Sequence, residues 1–377
     1  MKKGRSIIGL ILIVIILVAM FLVGSAVGVS AEEATSVSVS KPKISTVTRK
    51  KKGKVTIKWG KVSGVSGYQI QYDTNSDFSS ATTVKAKKAA TVSKSISKSD
   101  VSTSKNTYFR MRAYKTVDGK TYYSSWSTKV KLIVWKSSWK YAKNSKIHSD
   151  PAVLYYSTAA KSKRKGITVA INAGHGTKGG ASVKTLCHPD GSAKVTGGST
   201  AAGSKYATAV SGGTTVKGKS EASVNLTVAK KLKKKLLAEG YNVLMIRQDS
   251  DIQLDNVART VMANNNADCH IAIHFDSTSS NKGAFYIGVP TGSYRKMTPV
   301  KQHYKEHEAL GKALVAGLKA KDVKIFSSGR MAIDLTQTSY STIPSVDIEV
   351  GDRKTSISDA NLNKIAKGLL KGIEKYY

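Results

Sequence analysis

His175, Glu221, His274 and Glu349 combine side chains suited to hydrolytic chemistry with positions where a fold could gather them. His175 follows the apolar, β-branched run ITVAINAG, His274 closes CHIAIH, and Glu349 stands near the end of SVDIEV. Each run reads as a buried strand that delivers a polar residue to its carboxyl end, where open α/β sheets place their sites. Glu221 follows Ser220 at the start of a helical pattern. Two imidazoles and a carboxylate are a usual catalytic zinc set with a fourth position left for water. A second carboxylate can then serve that water, whose pKa zinc lowers to about 7, as general base. Spacing this long has no local specificity, and plainer readings stand beside it. His175 fits a polar loop residue, Glu221 a carboxylate on a helix dipole, and Glu349 a partner of Arg353 at a strand end.

Other candidates carry less. His303 and His307 share a helix face at i, i+4, but Tyr304 stands where a zincin motif needs Glu, so a solvated face is expected. Cys187 and His188 lie in a Gly/Ser/Thr-rich insertion that could bring them toward the same cleft. No GxSxG elbow, P-loop or EF-hand loop occurs.

The elements that must position these residues follow from periodicity. Strand-like runs at 167–173, 241–247, 269–275, 284–289 and 346–350 alternate with helical patterns, the signature of an α/β sheet. Within 221–239, Val228, Leu232 and Leu236 recur at i, i+4 with lysines opposite, and Gly240 ends the helix. Asp255 caps a helix to about 266; Leu310, Leu314 and Leu318 mark another, and Leu362, Ile365, Leu369 and Ile373 the last. We expect a mostly parallel sheet with helices on both faces over 167–377, with the 176–220 insertion as a long surface loop or lid beside the site. Before it, 42–134 alternates in period two (VTIKW, GYQIQY, TYFRMRAY) between Gly, Ser, Asn and Asp turns, which spells an all-β sandwich. The Ser-, Lys- and Tyr-rich stretch 135–166 reads as a linker.

Residues 1–31 look like a secretory leader: Lys2, Lys3 and Arg5, an apolar run from Ile7 to Val23, then Val29-Ser30-Ala31 as a cleavage site. Export is the expectation, with an uncleaved membrane anchor as the alternative, because the apolar run approaches bilayer-spanning length. The 61 basic residues exceed the 24 acidic ones by 37. They are mostly lysines scattered over the whole chain, which argues against a nucleic-acid groove and suits an anionic wall polymer or membrane surface. The bland alternative is a solvated surface. With only Cys187 and Cys269, a disulfide framework is excluded; one bridge is conceivable, and a buried free Cys269 is the commoner outcome.

These motifs, taken in order, resemble a known family. GHG at His175, the helix-opening Glu221, GYNVLMIR through Arg247, Ala258-Arg259, ADCHIAIH through His274 and IPSVDIEVG through Glu349 are similar to the zinc-dependent N-acetylmuramoyl-L-alanine amidases over 167–377. The resemblance implies zinc held by His175, Glu221 and His274, with Glu349 as catalytic acid/base. It also implies peptidoglycan as substrate, cut between the lactyl group of muramic acid and L-alanine. His274-Phe275-Asp276 departs from the His-Ala-Asn usual in that family, the 176–220 insertion is longer, and Asp352 replaces a large apolar residue. Over 42–134 the strands and Trp59 resemble a fibronectin type III domain, with Tyr108 placed like its tyrosine corner, which implies a spacer or adhesion module. Two alternatives remain: a non-catalytic wall-binding protein that has kept the fold, and a zinc hydrolase acting on another peptidoglycan bond.

Overall fold

Alternation in the first hundred residues produces short strands: β1 (Ile44–Arg49), β2 (Val55–Trp59), β3 (Gly67–Asp73), β4 (Thr82–Ala86), β5 (Ser93–Ile96), β6 (Thr107–Val117), β7 (Lys120–Tyr123) and β8 (Val130–Ile133). In β2, Val55, Ile57 and Trp59 are buried while Lys58 faces out, the half-buried pattern a sandwich sheet requires. One sheet runs β1-β2-β5; β4, β3, β6, β7 and β8 belong to the other. Tyr108 does not occupy the corner expected of it. Its ring lies beneath Lys129 and Lys131, and the Tyr68 hydroxyl instead accepts from the Val62 amide and donates to Ala89 O. This is a computed structural model describing residues 37–50 and 53–377; the leader and cleavage site expected over 1–31 lie outside them. Among the described residues, no helix is long and apolar enough to cross a membrane.

Residues 135–166, expected as a linker, contribute β9 (Ala152–Tyr155). This strand pairs antiparallel with β8 on one side and with β15 (Asn242–Met245) on the other. The second sandwich sheet therefore continues into the central sheet, and the two form one 12-stranded sheet. Only long-range pairing defines such a short strand, so local periodicity did not show it. The rest of the segment is also anchored: Ser145 Oγ and the amides of Lys146 and Ile147 donate to Asp255 Oδ2, while Asp255 Oδ1 caps the second helix at Ala258 N.

The C-terminal half follows the expected alternation. In chain order come β10 (Thr168–Ala173), β11 (Lys184–Leu186), β12 (Tyr206–Thr208), β13 (Thr215–Val216), β14 (Lys219–Ser220), α1 (Glu221–Ala238), β15, α2 (Asn256–Asn264), β16 (Cys269–Asp276), β17 (Ala284–Gly288), α3 (Val300–Lys319), β18 (Ile325–Ala332), α4 (Thr336–Tyr340), β19 (Ser345–Asp352) and α5 (Asp359–Tyr376). Strands β15, β10, β16 and β19 are mutually parallel; β17 runs antiparallel to β19 at the far side. Val169 and Ile171 of β10 share a core with Leu232 of α1, Leu314 of α3 and Leu369 of α5. Ala170 packs with Ala258 and Met262 of α2 on the other face. Helices on both faces of a largely parallel sheet agree with the expected architecture.

Candidate metal centre

Beyond β10 the chain turns sharply, and His175 takes a left-handed conformation at φ 61°. A non-glycine residue holds that region only when its surroundings fix it. Two fully buried arginines do so. Arg247 donates to Ala173 O, Gly174 O and Ala222 O, and Arg259 donates to Ala173 O, His175 O and the Asn172 side chain. Burial pulls both guanidinium pKa values down, to about 10 and about 9, yet each stays charged; Arg247 spends its fork on backbone carbonyls, and Arg259 divides its own between carbonyls and the Asn172 and Thr177 side chains. The family motifs contained these arginines; their role as straps on the His175 turn emerges only from the fold.

At the carbonyl ends of β10 and β16 and at the first turn of α1, three side chains converge. Glu221 Oε2 lies 2.9 Å from His175 Nε2, Glu221 Oε1 lies 3.0 Å from His274 Nδ1, and the two ring nitrogens are 3.1 Å apart. The donor atoms all fall within 4.8 Å of one another. His175 Nδ1 is 2.9 Å from Ser211 O and donates its proton there, which turns Nε2 toward the cluster. Glu221 is almost fully buried, and it accepts from Thr214 N, Phe275 N and Asn225 Nδ2 as well. Burial alone would raise its pKa, but hydrogen bonds from His175 and His274 outweigh it together and hold the carboxyl well below the usual range. The helix-dipole reading of Glu221 thus leaves out its two closest partners. Space here is exact: a Cβ on Gly174 would overlap the His274 ring, and one on Gly213 would crowd both His175 and Glu221.

Glu349 faces the same floor, opposite His274 in register on neighbouring parallel strands. No ion pair joins it to Arg353 among the described residues, and its Oε2 is buried without a hydrogen-bond partner. Burial pushes its pKa well up, and Asp347, Glu221 and Asp276 add to this against the pull of His274. Asp347 was not singled out from sequence. It lies two residues earlier on the same face of β19, with Oδ2 3.7 Å from His274 Nε2. The signal was present in the alternation Ser345, Asp347, Glu349 against Val346, Ile348, Val350, because a strand buried on both faces would be apolar throughout. Burial would lower the His274 pKa, but Asp347 and Glu221 drive it up to about 10, so the cluster favours a positive charge at its centre. Convergent N and O donors, a tautomer set by Ser211 and an unsatisfied carboxylate oxygen beside them fit a divalent metal of zinc's type.

The 176–220 insertion does not hang as a loop. It forms the hairpins β11–β12 and β13–β14 and walls a cleft of about 800 Å³ over the cluster, with Gly197, Gly198, Thr208 and Ser211 along it. Asp334, between β18 and α4, pins it. The carboxylate accepts from His188 Nε2 at 3.1 Å, Lys194 Nζ at 2.9 Å, Val195 N at 2.7 Å and Thr196 N at 3.1 Å, and from the Thr196 hydroxyl. His188 therefore serves this clamp and lies apart from the His175 cluster. Cys187 and Cys269 are both free and buried. Of the helix pair, His303 meets Glu306, whereas His307 is buried and accepts from Ser345 N, so the expected solvated face is half wrong. Asp276 takes Lys282 Nζ at 2.8 Å, and Asp352 is buried, accepting from Lys282 N and Lys354 N.

A largely parallel set of central strands with a polar cleft at their carboxyl ends and a converging His–Glu–His trio defines an α/β protein with a candidate metal centre. Residues 169–375 match the family model described as N-acetylmuramoyl-L-alanine amidase, and the chain belongs to that family of peptidoglycan amidases. Among solved structures it is similar to the amidase Ami1 from Mycobacterium smegmatis, at 19% identity and TM-score 0.45 over 56% of this chain and 96% of that one. Ami1 from Mycobacterium abscessus gives 19%, 0.45, 56% and 98% on the same measures. An amidase from Clostridium difficile 630 gives 19%, 0.39, 56% and 96%. No curated protein matches.

Proposed function

We propose that this protein is a secreted, wall-associated hydrolase that cleaves the amide between N-acetylmuramic acid and L-alanine, with zinc held by His175, Glu221 and His274. The observation that carries the reading is the meeting of three donor atoms within 4.8 Å, from residues as far apart as His175 and His274. Bound there, zinc would supply Lewis-acid polarisation of the scissile carbonyl and acidify water. Glu349 is the acid/base. As a carboxylate it would take the proton of the attacking water and return it to the leaving amine of L-alanine. Ser211 keeps His175 in the tautomer that offers Nε2, and Asn225 and the Thr214 amide hold Glu221 in place. The insertion wall narrows the approach to this floor. An excess of 37 positive charges suits an anionic wall, and the leader read from residues 1–31 supplies the route to it. The sandwich, read as fibronectin III-like, spaces the enzyme in that wall.

Digestion of purified peptidoglycan by the purified protein, with zinc, after EDTA, and with Glu349→Ala, tests this by mass spectrometry of the products. Stem peptides with new L-alanine amino termini, released only with zinc and lost in the variant, are expected. Wall binding without cleavage sinks the reading, and new ends at another bond reassign the hydrolase.

A further inference from the structure

One face of the sandwich carries a stack that catalysis does not use. Arg110 and Arg112 lie two apart on β6, so their side chains leave the same side of the sheet about 7 Å from each other. The Arg110 guanidinium sits 4.1 Å from the Phe78 ring centre and 4.6 Å from that of Trp126. Arg112 sits 4.5 Å from Trp126 and 3.8 Å from Tyr123. The order is therefore Phe78, Arg110, Trp126, Arg112, Tyr123, with a ring over each face of each cation. Neighbouring glutamines hold the inner edges: Arg110 Nε donates to Gln71 Oε1 and Arg112 Nε to Gln69 Oε1, both at 2.8 Å. The hydroxyls of Ser127 and Ser124 accept from Met111 N and Ala113 N, which fixes the Trp126 segment along β6.

Two features point outward. First, the Nη groups of both arginines have no hydrogen-bond or ion-pair partner among the described residues. The nearby carboxylates are committed elsewhere: Asp73 accepts from Asn75 N and Ser80 N, and Asp77 from Ser79 N. Second, the two cations stand against each other. Burial, then the charge of Arg112, lower the pKa of Arg110, a repulsion that an anion would relieve. Lys129 and Lys131 over Tyr108 extend the basic row along the same sheet.

We propose that this Arg110–Arg112 ladder is a binding site for a polyol-phosphate chain of the cell wall, each guanidinium edge taking one phosphate. Arg forks match phosphate oxygens two at a time, and a fork already fixed by stacking loses little freedom on binding. Single-stranded nucleic acid is the poorer occupant, because such sites stack bases on aromatic rings and both faces of Trp126 are already covered by guanidinium. The choice of a wall polymer rests on the peptidoglycan reading above. The ladder belongs to the same 12-stranded sheet as the catalytic strands, so a chain held here would tether the cleft rigidly to the wall.

Binding of poly(glycerol phosphate) to the full chain, titrated over a range of salt, tests the site. Arg110→Gln/Arg112→Gln should weaken binding at least tenfold and lower the salt slope by roughly 1.4 to 1.8, as for two lost phosphate contacts. Lys161→Gln/Lys163→Gln, which removes the same charge from an exposed stretch, should leave the slope nearly unchanged. Equal losses in both variants would mean diffuse charge and overturn the proposal, as would tighter binding of charge-matched oligo(dT) through the same arginines. Should the arginine variant fail to fold, phenylglyoxal labelling of the unaltered protein decides. Polymer must then protect Arg110 and Arg112 and leave exposed Arg164 reactive; unprotected ladder arginines refute the site. Peptidoglycan digestion, read separately, tells failure of the amidase reading from failure of this one.

Discussion

Asp347 Oδ2 stands 3.7 Å from His274 Nε2, while the other ring nitrogen of His274 faces Glu221 at 3.0 Å. The imidazole is thus flanked by a carboxylate at each nitrogen, and the one at Nε2 favours a proton there, leaving Nδ1 for a metal. Asp347→Asn should therefore lower zinc affinity by roughly 10- to 100-fold with the fold intact. Competition against a chromophoric chelator measures it, and unchanged affinity would remove Asp347 from the site.

Asp334 holds the insertion through His188, Lys194 and Thr196. Removing one member of a buried charge cluster strands the others, at a cost of about 3–5 kcal/mol. Asp334→Ala should therefore lower the melting temperature, speed amide exchange over 187–196, and raise KM more than it lowers kcat. Slow exchange in that stretch of the variant would show that the wall is held by other contacts.

Gly174 is small because the His274 ring packs where a side chain would go. Gly174→Ala should displace His274 and lose zinc binding, whereas Gly197→Ala, at a glycine with open space about it, should bind zinc normally. Isothermal titration with zinc compares the two.

His270 and His307 are buried, and burial depresses both imidazoles to about 3 from an ordinary 6.5. A base whose folded pKa is lowered binds its proton first in the unfolded chain. Stability is therefore full above pH 6.5 and falls as pH drops from 6.5 toward 3, by on the order of 2 kcal/mol per imidazole at pH 5. Thermal melts from pH 7.5 to 4.5 should show the decline, and His270→Gln should flatten it. An unaltered slope in that variant would assign the acid sensitivity to other groups.

Much of the site was legible because the signals are local. An apolar run ending in His175, His274 or Glu349 records a buried strand reaching a cleft, and period-four leucines record helix faces packed on a sheet. Ordered motifs then tied those four candidate residues to one family. Asp347 was also written in the alternation of β19 and was passed over, since one carboxylate in a strand carries no partner until the neighbouring strand is known.

The rest depended on which distant segments meet. Four residues of β9 have no pattern of their own, yet they join two sheets because β8 and β15 both leave an edge for them to pair. His188 and Asp334 are separated by 146 residues, and Trp126 reaches Arg110 and Arg112 only once its segment lies along β6. Sequence alone determined the sandwich strands, most of the central strands and the long helices, with the chemistry they carry, since propensity and periodicity act over a few residues. Tertiary structure decided the straps, the clamp and the ladder, since burial and register set a buried polar group's partner across the whole chain.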